Sequence, residues 1–229
     1  MAQEGLAKRL HGRRKGHALK ARQGRLMEQL LPRIAVEVEQ PAPARLADLF
    51  ETAPDRLILE IGFGGGEHLA EGAASNPQTG FIGAEAFING VAKLLSEVDT
   101  RELTNVRVHF GDAHDLLEWL PDACLDRADL LYLDPWRKRR HWKRRFISHE
   151  TLAELARVIR PGGELRFASD WPDYLTWTLM HLRPRTDFAW TAQVADDWRK
   201  PWDGWTRTRY EAKAYREGRV PSYLTFTRT

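Results

Sequence analysis

Five short apolar stretches recur through the middle of the chain: RLILEIG at 56–62, FIGAEAF at 81–87, VRVHFGD at 106–112, ADLLYLD at 128–134 and GELRFASD at 163–170. Each is too brief for a buried helix and rich in branched or aromatic residues, which reads as a strand covered on both faces. Between them, apolar residues fall at helical spacing over Leu69 to Ala74, Ile88 to Val98 and Leu152 to Ile159. RPGGEL at 160–165 reads as a helix stop followed by a strand start. Strands that alternate with helices predict a mostly parallel sheet with right-handed crossovers. Beyond Asp170 the pattern predicts a helix over about 172–182. A closing pair of strands follows, FAWTAQVA at 188–195 and SYLTFTR at 222–228, with an aromatic, basic loop at 198–219 between them. The expectation is an α/β fold: a seven-stranded, mostly parallel sheet with an antiparallel closing strand and helices on both faces.

Length agrees with this count, since 229 residues suffice for one sizeable α/β domain with its own core. The division expected is a basic N-terminal arm, 1–35, that orders on a polyanion, and a single domain over 36–229. No apolar run approaches the roughly 18 residues that span a membrane, so no membrane is expected as a partner. The N-terminus has no apolar secretory signal; it is Arg-rich and acid-poor. One cysteine, Cys124, excludes an intrachain disulfide and suits a reducing, cytoplasmic setting. Eight scattered histidines form no ligand spacing, so no metal is expected.

Charge changes the picture more. Residues 1–25 carry eight cations against Glu4, and 137–145 contain seven Arg or Lys. Each segment is +7, which leaves −11 for the rest of a chain whose net charge is +3. An otherwise acidic protein that gathers its cations in two segments is built to meet a polyanion there.

Ligands of such sheets collect outside the carboxyl ends of the strands. The residues at five successive predicted strand ends are Glu60, Glu85, Asp112, Asp134 and Asp170. After the first strand comes EIGFGGG, with Gly62, Gly64 and Gly66 at alternate positions, where glycine lets the chain turn tightly and a ligand approach the backbone. A dinucleotide fingerprint begun at Gly62 wants glycine at 67, but Glu67 stands there and would repel a pyrophosphate. That weakens a nicotinamide-dependent oxidoreductase. The loop is instead similar to the first motif of the Rossmann-like S-adenosylmethionine methyltransferases, whose ligand is a sulfonium with no phosphate. The resemblance implies that Glu85 accepts from the ribose hydroxyls and Asp112 from the adenine amine.

YLDPW at 132–136, RKRRHWKRR at 137–145, SDW at 169–171 and TRYE at 208–211 make the match narrower. With GRRKGHALKARQGRL at 12–26, the sequence resembles the bacterial tRNA (guanine-N7)-methyltransferases from about Gly12 to its end. Carried over, the family pattern implies a cytoplasmic enzyme, monomer or homodimer, that binds S-adenosylmethionine and tRNA. It implies that Glu60, Gly62, Gly64, Glu85, Asp112 and Asp134 hold the methyl donor. Lys138, Asp170, Thr208, Arg209, Tyr210 and Glu211 would contact the target nucleotide. Arg139, Arg140, His141, Trp142, Lys143 and Arg144 would meet RNA, and the target would be the variable-loop guanine. One departure stands out. The family's Phe-Pro before the Asp is Tyr132-Leu133 here, which predicts a looser backbone ahead of Asp134.

Guanine N7 has an in-plane lone pair and no proton to lose, so its methylation needs alignment more than a base. Asp134 is the expected catalytic residue in that sense: it accepts from the guanine N1–H and amine, and offsets the positive charge that passes to the ring. Cations hold the phosphates around a base that leaves its stack, and Trp136, His141 and Trp142 are candidates to stack on nucleobases. Two other readings remain at this point. An adenine-N6 enzyme would carry a second Pro where Trp136 stands. A non-catalytic RNA-binding protein on a Rossmann-like scaffold would not bind the methyl donor.

Overall fold

The computed structural model describes Gly12 and residues 14–229. The expected basic arm therefore falls partly outside the described residues, Lys8, Arg9 and Arg13 included. From Arg14 the chain runs along the domain. The Arg14 carbonyl accepts from Ile88 N at 3.1 Å, and the Asn89 side chain bonds Gly16 N and the His17 carbonyl at 2.8 and 2.7 Å. Helices α1 (Ala21–Gln29) and α2 (Leu31–Ile34) follow. Their Leu26, Met27, Leu30 and Leu31 pack on the core cluster that contains Leu94 and Val98.

The domain then alternates as the apolar pattern dictates. The order is β1 (Arg56–Ile61), α3 (Glu67–Ser75), β2 (Thr79–Ala84), α4 (Ile88–Thr100), β3 (Val106–His109), α5 (Ala113–Trp119), β4 (Leu125–Leu131), α6 (His149–Val158), β5 (Ile159–Ser169) and α7 (Pro172–Leu182). It closes with β6 (Phe188–Trp190), the short α8 (Asp196–Arg199), α9 (Arg209–Arg216) and β7 (Ser222–Arg228). The sheet runs β3-β2-β1-β4-β5-β7-β6. β1 to β5 are parallel and β7 is antiparallel to both its neighbours. Crossovers run outward from β1 in one direction and from β4 in the other, so the order switches between β1 and β4. A crevice opens there because the connections leave on opposite sides.

Alternation sends Leu59, Leu130 and Leu165 to one face, where they are fully buried in the larger cluster with Leu152, Leu155 and Tyr174 of α6 and α7. Shortening one of them to Ala should cost about 2–5 kcal/mol. The opposite face is apolar over β1 to β3, under α3 and α4. Over β4 and β5 it is charged, and β7 adds Tyr223, Thr225 and Thr227. Glu60 pairs in register with Asp129 and Asp129 with Arg166. Arg127 is ion-paired to Asp129 at 2.9 Å, and Arg166 to Glu164 at 2.9 Å. The lid on this polar strip is the Trp-rich segment. Trp202 donates to Thr225 Oγ1 at 2.7 Å, and its ring lies 5.1 Å from the Arg166 guanidinium. Among the described residues no helix is long and apolar enough to cross a membrane.

Four boundaries differ from the sequence reading. β4 stops at Leu131, because Tyr132 turns into the left-handed region at φ 54°, so Asp134 stands in the following loop. Arg160–Gly163 do not precede β5 but bulge within it: Leu125 pairs with Ile159 and Arg127 with Glu164. β6 is three residues long instead of eight, because the chain beyond Trp190 leaves the sheet for α8. The expected loop at 198–219 folds in part as α9, capped by Thr208 Oγ1, which accepts from Glu211 N at 3.1 Å.

Candidate active site

A cleft of about 410 Å³ opens at the switch point between β1 and β4. Its floor is the glycine loop after β1. Gly62 and Gly64 both adopt positive φ, 69° and 58°, which costs little without a Cβ. A Cβ on Gly62 would stand 2.6 Å from Leu133, and one on Gly64 3.0 Å from the Tyr210 ring. The floor is therefore pressed from both sides.

Three of the five expected acids border this cleft: Glu85, Asp112 and Asp134. Glu85 follows β2, and backbone holds its carboxylate. Oε2 accepts from Gly64 N at 2.8 Å, and Oε1 from Ala86 N and Phe87 N at 2.8 and 2.9 Å. Burial raises its pKa from the ordinary carboxylate value, against those three hydrogen bonds. Asp112 caps α5. Its Oδ1 accepts from His114 N and meets His114 Nδ1 at 3.0 and 2.7 Å. Burial alone would raise its pKa, but the bonds to His114 bring it below the ordinary value. Its Oδ2 is buried with no partner among the described residues, an acceptor waiting for a donor. Asp134 makes no hydrogen bond or ion pair among the described residues, and partial desolvation in the cleft raises its pKa.

The other two acids are already committed. Alternation turns Glu60 to the charged face, where it is buried and bonded to His68 Nδ1 at 2.8 Å. Burial raises its pKa, with His68 opposing. Asp170 is buried and accepts from Arg219 Nε at 2.5 Å. In the TRYE stretch, Tyr210 borders the cleft. Thr208 is the buried cap of α9, and Arg209 pairs with Glu67 beside the glycine loop. Glu211 is buried, accepting from Trp205 Nε1 at 2.6 Å and Tyr223 OH at 2.5 Å.

The basic run leaves the same turn as Asp134 and winds as a 3-10 helix over Arg139–Arg144. Lys138, Arg139, Arg140 and Lys143 are exposed, and Lys143 and Arg144 reach the cleft wall. His141 packs edge-on to Trp136 at 5.9 Å. Desolvation and the neighbouring Arg144, Arg140 and Lys138 hold its pKa below the ordinary imidazole value. Trp142 faces inward, 5.7 Å from the Trp177 ring.

Leu133 fills the place of the family's Pro by packing on the core and over Gly62, so the backbone there is anchored by a side chain. Sequence reasoning missed His114, Phe146 and Arg145. His114 follows Asp112 closely enough to have been read as its partner. The His114–Phe146 ring contact at 5.1 Å joins segments with no local signal.

The donor set suits S-adenosylmethionine: a buried acceptor at Asp112 and a carboxylate at Asp134, both without a partner among the described residues, and a preorganised carboxylate at Glu85. Comparison with known proteins agrees. Residues 54–222 match the family described as "Putative methyltransferase". The chain is 53% identical over 217 residues to a tRNA (guanine-N(7)-)-methyltransferase of Rhodopseudomonas palustris (strain BisB5), covering 95% of this chain and 85% of the relative. It is 52% identical to the enzyme so named from Rhizobium meliloti (strain 1021), covering 95% and 94%. It is 54% identical to that of Brucella anthropi, covering 95% and 93%. Among solved structures, the precorrin-6y C5,15-methyltransferase from Geobacter metallireducens aligns with a TM-score of 0.52 at 15% identity, covering 80% of this chain and 86% of that one. The 16S rRNA methyltransferase KamB aligns at 0.51 and 17%, covering 77% and 89%. These two show the fold alone.

Proposed function

This chain belongs to the tRNA (guanine-N7)-methyltransferase family, and from that premise we propose that its target is the variable-loop guanine, selected and aligned by Asp134. It is an S-adenosylmethionine-dependent enzyme that makes 7-methylguanosine in tRNA. When bound, S-adenosylmethionine supplies an electrophilic methyl on a cationic sulfur. Glu85 and Asp112 bind and orient it through the ribose hydroxyls and the adenine amine, and Gly62 and Gly64 let it approach the backbone. Glu60 supports that loop from behind through His68 on α3.

The observation that carries the reading is Asp134: a carboxylate at the switch point with no pair among the described residues, the donor acids on one side and the basic run on the other. It accepts from guanine N1–H and the exocyclic amine, which adenine cannot offer together. It also stabilises the positive charge that reaches the ring as N7 takes the methyl. No proton is removed from N7. Lys138, Arg139, Arg140 and Lys143 hold phosphates around the displaced nucleotide, joined by Arg14, Lys15 and Lys20, which are exposed on the N-terminal segment. Tyr210 closes the cleft over the glycine loop. The setting is cytoplasmic, where tRNA is modified.

The test uses methyl-labelled S-adenosylmethionine and two transcripts that differ only in a guanine or adenine at the variable-loop position. Label in 7-methylguanosine from the first alone is expected. Label from both would overturn the position, and label from neither, with donor binding intact, would overturn the substrate.

A further inference from the structure

Arg145 ends the basic run and is the one cation of 137–145 that is buried, at 5% exposure. A buried guanidinium ordinarily has a carboxylate beside it, because desolvating a charge is costly. Arg145 has no ion pair among the described residues. Three aromatic rings enclose it instead: Trp142 at 4.7 Å, Tyr174 at 5.2 Å and Trp177 at 5.1 Å. Its Nε donates to the Pro135 carbonyl at 2.9 Å, and Nη1 makes a long bond to the Asp173 carbonyl at 3.4 Å.

Pro135 follows Asp134 directly. The turn that carries both is bracketed by two non-glycine residues in the left-handed region, Tyr132 at φ 54° and Trp136 at φ 43°. Such conformations persist only where the surroundings over-determine them. On the Tyr132 side the restraint is the bond from Tyr132 N to the Ala168 carbonyl of β5, at 2.8 Å. On the Trp136 side, the Pro135 carbonyl is held by Arg145.

We infer that Arg145 is a positioning residue for the reaction: caged by Trp142, Tyr174 and Trp177, it clamps the Pro135 carbonyl and so fixes the Asp134 carboxylate against the target guanine. This rests on the role given to Asp134 above. It also divides the basic run by function. The exposed cations meet phosphate, while the last one turns inward to hold the loop that does the alignment. The aromatic cage holds Arg145 without an ion pair among the described residues, and the Asp173 carboxylate acts on its charge only from beyond ion-pair distance.

The variant is Arg145→Lys in the full chain. Lysine keeps the charge but has no planar face to fill the cage and no Nε–H at the Pro135 carbonyl. Misplacing an aligning group by an ångström can cost about a hundredfold, so kcat should fall by roughly ten- to a hundredfold. The Kd for tRNA and its salt dependence should stay at wild-type values. Arg139→Ala is the contrast: it should lower the slope of log K against log salt by about 0.9, the value for one phosphate contact. Wild-type kcat in a folded Arg145→Lys protein would overturn the inference, as would a slope change like that of Arg139→Ala. Should the Lys variant lose its cooperative melt, Trp177→Phe thins the cage and leaves the guanidinium in place. A lower kcat with unchanged tRNA affinity is expected there, and unchanged kcat would overturn the clamp. Failure of the functional reading itself is distinct, because the wild-type protein would then methylate no tRNA.

Discussion

Two groups of acids stand at the same edge of one sheet and do opposite work. Glu85, Asp112 and Asp134 border the cleft with acceptor capacity to spare. Glu60, Asp170 and Glu211 are buried, and each is already bonded within the protein, to His68, to Arg219, and to Trp205 with Tyr223. Their residue types are the same, and so is their place near strand ends or in a family motif. What separates them is the face to which the backbone turns them. A carboxylate on the cleft side can wait for a ligand in partial solvent. One on the charged face must be satisfied by the protein, because an unpartnered charge there would be strongly destabilising. Motif membership alone does not tell a binding acid from a buttressing one.

The largest effects that sharpen this contrast concern donor binding. Glu85→Gln should weaken S-adenosylmethionine binding by about 1.5–3 kcal/mol, the worth of a charged hydrogen bond, read as Kd by calorimetry. Glu60→Gln should change that Kd less and the melting temperature more. A reversed ranking would erase the distinction between the two groups.

A smaller effect is a pH dependence of stability on the buried side. Burial alone would lower the His68 pKa, but the Glu60 carboxylate overcomes it through charge and hydrogen bond, and the folded value lies above 6.5. A raised imidazole pKa adds stability that is complete below pH 6.5 and is lost as pH rises through the folded value. A tenfold gain in proton affinity on folding is worth about 1.4 kcal/mol. Denaturant midpoints should therefore fall as pH rises above neutrality, and His68→Gln should flatten that fall. A His68→Gln protein with the wild-type pH profile would place the titration elsewhere.

Much of this was legible in the sequence. Apolar periodicity placed every strand of the sheet, since buried parallel strands need continuous apolar runs. The strand-end acids and the glycine loop pointed to the cleft. What stayed hidden depended on long-range contact or on local turns. Tyr132 leaves β4 early, which no propensity signals, so Asp134 falls in a loop. The fate of the Trp-rich segment turned on what lay beneath it: within the expected aromatic, basic loop, Trp202 and Trp205 pack on Tyr223 over a charged strip. Arg145 is indistinguishable from its six basic neighbours until Trp177 and Tyr174, some thirty residues on, close around it.

The most direct test of the role given to Asp134 is the single-turnover rate of Asp134→Asn, with S-adenosylmethionine and tRNA both saturating. Removing one preorganised group that stabilises developing charge costs roughly a hundred- to a thousandfold. A rate lowered on that scale is expected, with the Kd for tRNA nearly unchanged. A wild-type rate under those conditions would contradict the assignment, and Asp134 would then be no more than part of the wall.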